Sequence, residues 1–176
     1  MNDSHSSLDG NAGSRSSADS SVTHATLRIA AMNLLARREH SRAELAEKLG
    51  RKLPGQVDYS TLIGEVLDRL SEDGLQSDRR FAEAFLRARY NKGQGPRRII
   101  QELNRYGVAS ALVSDIFAAS DIDWYEQARS VAKKKYGDGP PKNMREKARR
   151  MRFLQYRGFE GDQVGQALGG VADKIS

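Results

Sequence analysis

Cationic side chains dominate the chemistry this sequence offers. Arg129 to Arg157 holds 11 basic residues against Asp138 and Glu146 alone, a net of +9. Arg145, Arg149 and Arg152 follow i+4 and i+3 spacing, and Tyr156 comes four residues later, so on a helix they share one face. A row of guanidinium groups of this kind tracks phosphate oxygens and gives salt-dependent, largely sequence-blind affinity. Lys147, Arg150 and Arg157 lie on the same stretch, Lys133, Lys134 and Lys135 precede it, and Arg97, Arg98 and Arg105 form a smaller group upstream. These twelve residues are the candidate contacts to DNA or to a protein partner. For any single Lys the alternative is a solvated helix face, or a cation placed to favour the helix dipole. Four tyrosines, Tyr90, Tyr106, Tyr136 and Tyr156, stand beside basic residues near helix ends. Each has the option of stacking on a base, with half-buried packing as the plainer reading.

Catalytic chemistry is poorly provided for. His5, His24 and His40 are dispersed, there is no Cys, and no pair has ligand spacing for a metal. Gly93-Gln94-Gly95 lacks the Lys-Ser/Thr that completes a phosphate-binding loop. A non-enzyme with no cofactor and no metal is therefore expected. The absence of Cys fits a reducing compartment, and neither a membrane span nor a secretory signal is read from the pattern. A cytoplasmic, monomeric protein is the expectation.

The elements that must position these charges are helices throughout. Leu27, Ala30, Ala31, Leu34 and Leu35 make one apolar stripe. Ser41 with Glu44 reads as a capping box opening a second helix through Leu45 and Leu49. Leu62, Ile63, Val66, Leu67 and Leu70 line a third, with Gly74 past its end. Ser77 or Asp78 caps a fourth, with an expected inner face of Phe81, Ala84, Phe85 and Ala88. Pro96 opens a fifth, where its missing N–H costs nothing. Val108 to Phe117, Trp124 to Ala132, Met144 to Leu154 and Val164 to Leu168 supply four more, and no alternating strand pattern is found.

Nine helices in three groups of three imply an internal repeat. Leu45 and Leu49 match Ile99 and Leu103 at an offset of 54, and Arg105-Tyr106-Gly107-Val108 resembles Tyr156-Arg157-Gly158-Phe159 at an offset of 51. The expected fold is all-α, an elongated, curved array of three tandem three-helix repeats. The expected divisions are a disordered tail over 1–21, repeats over 22–74, 75–120 and 121–169, and a flexible end over 170–176. Small cores in each repeat account for a hydrophobic content of only 38% in a chain of 176 residues. The overall charge of +6 divides unevenly: residues 1–76 carry 9 basic and 11 acidic residues, residues 77–176 carry 20 and 12.

A three-helix unit with a Gly turn before its last helix resembles a helix-turn-helix, whose last helix reads bases with Arg, Lys, Asn or Gln. Here the last helices carry Glu65 and Asp68 against Arg69, then Asp115, then Glu160 and Asp162, and these acids repel phosphates. The positive charge sits on the first and second helices of the later repeats. Backbone contact fits this placement; base reading does not.

The middle repeat carries a more specific likeness. Asp78-Arg79-Arg80-Phe81-Ala82-Glu83-Ala84-Phe85, then Gly95-Pro96-Arg97-Arg98-Ile99-Ile100-Gln101-Glu102-Leu103 and Gly107-Val108, resembles the signature of the RecX regulatory proteins. Ser41-Arg42-Ala43-Glu44-Leu45 and Arg157-Gly158-Phe159 resemble that family's first and third repeats, so the likeness runs over about residues 25–168. The resemblance implies a tandem three-helix protein that binds the RecA recombinase and its nucleoprotein filament, and restrains ATPase, filament growth and strand exchange. It implies a place in recombination, DNA repair and the SOS response, with contact to single- and double-stranded DNA without sequence preference. The chain departs from the pattern at Gly50 to Tyr59, a longer connection between second and third helices than the middle repeat uses. Two other readings remain open at this stage: a general nucleic-acid binder without a recombinase partner, and a helical adaptor for an acidic protein.

Overall fold

In a computed structural model, residues 22–169 are described; the tail over 1–21 and the end over 170–176 lie outside them. Among the described residues there are nine helices and no strand. They are α1 His24–Leu35, α2 Arg42–Gly50, α3 Ser60–Glu72, α4 Asp78–Asn91, α5 Pro96–Arg105, α6 Ser110–Ala119, α7 Trp124–Tyr136, α8 Met144–Arg157 and α9 Gly161–Ala167. No helix among them is long and apolar enough to cross a membrane.

Each consecutive triplet encloses its own core. Leu27, Ala31, Leu45, Leu49, Ile63, Val66, Leu67 and Leu70 meet in the first. Phe81, Ala82, Leu86, Ile99, Leu103, Val108, Val113 and Ile116 meet in the second. The third is smaller, built on Ala128, Ala132, Leu154, Phe159, Val164 and Leu168. Truncating a fully buried leucine such as Leu103 or Leu154 to Ala costs about 2–5 kcal/mol, a large share of what one small core supplies.

Helix starts and stops follow local chemistry. Ser41, Ser77, Asp123 and Asn143 cap α2, α4, α7 and α8 with side-chain oxygens that accept backbone N–H groups. The turns after α3, α5 and α8 share one closure: a backbone N–H just past the helix reaches back five residues, Leu75 to Leu70, Val108 to Leu103 and Phe159 to Leu154. This is the left-handed C-terminal closure that glycine permits. It also drives Val108 and Phe159 into the cores of their units.

Three sequence expectations are corrected. The inner face of α4 is Phe81, Ala82 and Leu86, with Phe85 half-buried and Ala88 exposed; α4 is gripped from two sides, which widens its apolar arc by one position. The capping box at α2 is half formed. Ser41 accepts from the Glu44 N–H, but the Glu44 carboxylate turns instead to Arg38, His40 and Lys48. Met144, placed with the apolar residues of α8, is 77% exposed at its first turn.

The triplets join by a repeated device. At the first joint, the Ser41 hydroxyl donates to the Tyr106 carbonyl at 2.6 Å, and the Arg42 N–H donates to Asp78 Oδ1 at 2.8 Å. At the second, the Gly95 N–H donates to the Arg157 carbonyl at 2.8 Å and the Arg97 N–H to the Gly158 carbonyl at 3.1 Å. In both, the start of one unit's second helix docks on the glycine turn that ends the next unit's second helix. Gly95 has no capping side chain; the backbone of the following unit supplies acceptors to N–H groups that the helix itself leaves unpaired. The approach is close: a Cβ on Gly95 would lie 2.4 Å from the Gly158 carbonyl carbon. Among the described residues, hydrogen bonds and ion pairs link first to second and second to third unit, and none links first to third. That connectivity is a linear array.

Candidate nucleic-acid interface

The basic residues predicted from sequence gather on α5, α7 and α8, but they do not form a single set. Arg145 and Arg152 are exposed on α8 with no carboxylate partner among the described residues. Arg149 is exposed and only 3.8 Å from Glu146 Oε1, a loose contact. The i+4, i+3 row therefore survives as a solvent-facing stripe, and Tyr156 closes it, 78% exposed. Lys147 is half-buried beside it.

Arg150 is different. Its side chain is buried, and its guanidinium donates to Glu146 Oε1 at 2.8 Å and to the Gly139 carbonyl at 2.9 Å. The same group lies 5.1 Å from the centre of the Tyr136 ring. A phosphate cannot reach it without breaking these contacts. The expectation that Arg150 joins the binding face is therefore revised: it ties the loop before α8 to the helix. The helical spacing of 149, 150 and 152 could not separate them, because only the loop at Gly139 decides which of the three is covered.

Arg157 is also partly committed. Its Nη1 donates to the Lys92 carbonyl at 2.6 Å across the second joint. Arg98 donates to Glu102 at 3.0 Å, which raises the guanidinium pKa, and lies 5.6 Å from the Tyr156 ring centre. Glu102 also holds Arg89 at 3.0 Å. Arg97 and Arg105 are exposed at opposite ends of α5 without an ion-pair partner among the described residues. Lys133, Lys134 and Lys135 occupy the last turn of α7, where cations favour the helix dipole. Lys133 pairs with Asp138 at 2.9 Å, which raises its pKa; Lys134 and Lys135 do not share that carboxylate.

One feature was missed from sequence. A cleft of about 390 Å³ opens at the second joint, between the end of α4 and the α7–α8 pair. Its walls include Lys92, Lys134, Lys135 and Arg157 with Phe153 and Tyr90, and no carboxylate. Lys135 Nζ lies 4.2 Å from the centre of the Phe153 ring. Lys92 belongs to a stretch that sequence marks only as a helix break, so its proximity to Lys134, 42 residues away, is a product of the joint.

On the last helices of the first and third units, acids are engaged within their own units. Glu65 meets His24 at 2.6 Å, Asp68 meets Arg42 at 2.9 Å, and Asp162 accepts from the Tyr125 hydroxyl at 2.6 Å. They present no cationic row to a groove. Among the described residues no group of three or more His, Asp or Glu is placed to hold a metal ion.

At the first joint, Glu44 is the most perturbed group. Burial works against its charge, but hydrogen bonds from Arg38 first, then its neighbours His40 and Lys48, outweigh that and bring its carboxyl to about 2. His40, whose Nδ1 lies 2.8 Å from Glu44 Oε2, is pushed down chiefly by burial. The surrounding contacts, Gln76 to the His40 carbonyl and Arg80 to Glu39, tie the cluster to the second unit.

Comparison with known proteins bears on the same three units. Family models described as the first, second and third three-helix domains of RecX match residues 28–57, 77–115 and 121–168. The chain is 46% identical over 150 residues to Regulatory protein RecX of Halorhodospira halophila, covering 84% of this chain and 89% of that protein. It is 44% identical over 144 residues to Regulatory protein RecX of Ectopseudomonas mendocina, covering 82% and 93%. The crystal structure of RecX from Lactobacillus salivarius superposes with a TM-score of 0.67 at 21% identity, over 82% of this chain and 93% of that one, a likeness of fold.

Proposed function

The chain belongs to the RecX family, and from that premise we propose that it is a non-enzymatic regulator of the RecA recombinase. It binds RecA and the RecA–DNA filament and restrains ATPase, filament growth and strand exchange, in recombination and DNA repair. The relatives are named regulatory proteins, which fits a role without catalysis.

The observation that carries the reading is the placement of charge. Arg145, Arg149 and Arg152 face solvent on a second helix, while the third helices, which read bases in a helix-turn-helix, carry acids. Such a face meets sugar-phosphate backbone rather than base edges. A linear array with two similar joints can lie along an extended partner, and a filament is extended. On this reading the protein is cytoplasmic and acts as a monomer on the filament, with no cofactor.

The test is RecA's DNA-dependent ATPase and strand exchange with substoichiometric protein. Inhibition well below one protein per RecA is expected. No change in either activity at any ratio overturns the proposal. A second reading, a sequence-independent nucleic-acid binder without a recombinase partner, draws on the exposed arginines of α8 and the cationic lining of the joint cleft. Tight binding to bare DNA at physiological salt, with no effect on RecA, selects it.

A further inference from the structure

We propose that Tyr156 is a stacking platform for an unpaired base of single-stranded nucleic acid, held at the joint between the second and third units. The proposal deepens the reading that the α8 face meets DNA, and rests on it.

Four tyrosines lie beside basic residues, and the structure separates them. Tyr90 packs edge-on against Trp124 at 6.0 Å between ring centres, Tyr106 against Phe81 and Phe85 at 5.4 Å each, and Tyr136 against Phe153 at 5.5 Å. Tyr156 has no aromatic neighbour among the described residues and is 78% exposed. The core of its unit takes Leu154 and, in part, Met151 and Phe153 from the same helix; Tyr156 adds nothing to it.

Its surroundings suit a nucleotide. Arg152 and Arg149 precede it on the same face, and the Arg98 guanidinium from the neighbouring unit lies 5.6 Å from its ring centre. Arg98 itself is paired with Glu102, which also holds Arg89. The backbone beneath the ring is held: Gly95 and Arg97 donate to the carbonyls of Arg157 and Gly158, and the Gly158 N–H donates to the Gln155 carbonyl at 2.9 Å. A Tyr on such a base has few rotamers to lose when a ligand covers it.

The ring selects among anionic partners. An acidic peptide would use the arginines and leave the ring idle. A duplex offers phosphates but keeps the faces of its bases stacked inside. A single strand offers both charge and an open π-face, and stacking on an aromatic side chain tolerates any base.

The test compares affinity for a labelled oligo(dT), an abasic strand of equal length and charge, and a duplex, at low salt. Wild-type protein is expected to prefer oligo(dT) to the abasic strand. Tyr156→Ala should weaken oligo(dT) binding by roughly five-fold to a hundred-fold, leave the other two unchanged and so abolish the preference. Tyr156→Phe should restore it, and Arg152→Ala should weaken all three. Equal losses on all three strands with Tyr156→Ala, or no loss on any, overturn the inference while leaving DNA contact intact. Failure of the wild-type protein to bind any of the three overturns the DNA reading itself, and this inference with it.

Discussion

Gly158→Ala should loosen the second joint, and its cost can be worked from the geometry. Gly158 closes α8 in the left-handed region, at φ +92° and ψ +19°. An alanine there carries a backbone penalty of about 1–2 kcal/mol. Its Cβ would also lie 2.3 Å from Arg98 Cβ and 2.7 Å from the Arg98 backbone nitrogen. Those atoms belong to the first turn of α5 and cannot rotate away, so the units must separate. Separation sacrifices the hydrogen bonds from Gly95 to Arg157 and from Arg97 to Gly158, at about 0.5–1.5 kcal/mol each. The total is about 2–5 kcal/mol, enough to shift a urea midpoint by circular dichroism and to raise protease sensitivity at the joint. Two glycines serve as references. Gly74 has φ +69° but open space around it, so Gly74→Ala carries only the backbone penalty. Gly165 lies within α9 with no atom within 4 Å of a new Cβ, so Gly165→Ala should stabilise by about 0.5–1 kcal/mol through helix propensity. If Gly158→Ala costs no more than Gly74→Ala, the units do not meet as closely as the joint requires and the reasoning fails.

Acid should weaken the first joint in two stages. The buried His40 favours its neutral form when folded, so its contribution fades as pH falls below its unfolded value near 6.5. Glu44, near 2 when folded against a reference of 4.5, contributes stability that is whole above 4.5 and is lost as pH falls toward 2; Glu44→Gln should remove about 3 kcal/mol of that acid limb, read from urea midpoints between pH 7 and 2. An unchanged acid limb in Glu44→Gln would refute the assignment. Arg150 and Arg152 should part company: Arg150→Ala should destabilise by about 1–3 kcal/mol, because the buried guanidinium's hydrogen bonds to Glu146 and to the Gly139 carbonyl are lost. Arg152→Ala should keep the urea midpoint within about 0.5 kcal/mol while lowering the salt slope of DNA binding by about 1. Equal stability of the two variants would show that the Gly139 contact does not hold in solution.

Helix content, the three-fold repeat and the outline of the basic region were legible in the sequence. Periodicity locates apolar stripes, Ser, Asp, Asn, Pro and Gly mark helix ends, and both signals act within a few residues. Charge counting likewise found α8. Burial on α4 was misjudged by one position, since which of Ala82 or Ala84 faces inward depends on where the other helices pack. The role of Glu44 was misjudged too, because its partners Arg38 and His40 arrive from the loop before α2 and compete with the cap. What only the tertiary structure decided is the fate of each cation. Gly139 covers Arg150, Lys92 and Gly93 engage Arg157, and Glu102 draws Arg98 inward, while Arg145 and Arg152 meet no carboxylate among the described residues. The cleft at the second joint and the exposure of Tyr156 have the same origin. The helical period is local and can be read from neighbours three and four residues apart. Desolvation and pairing are set by residues tens of positions away, brought close when one unit's helix start meets the glycine turn of the next.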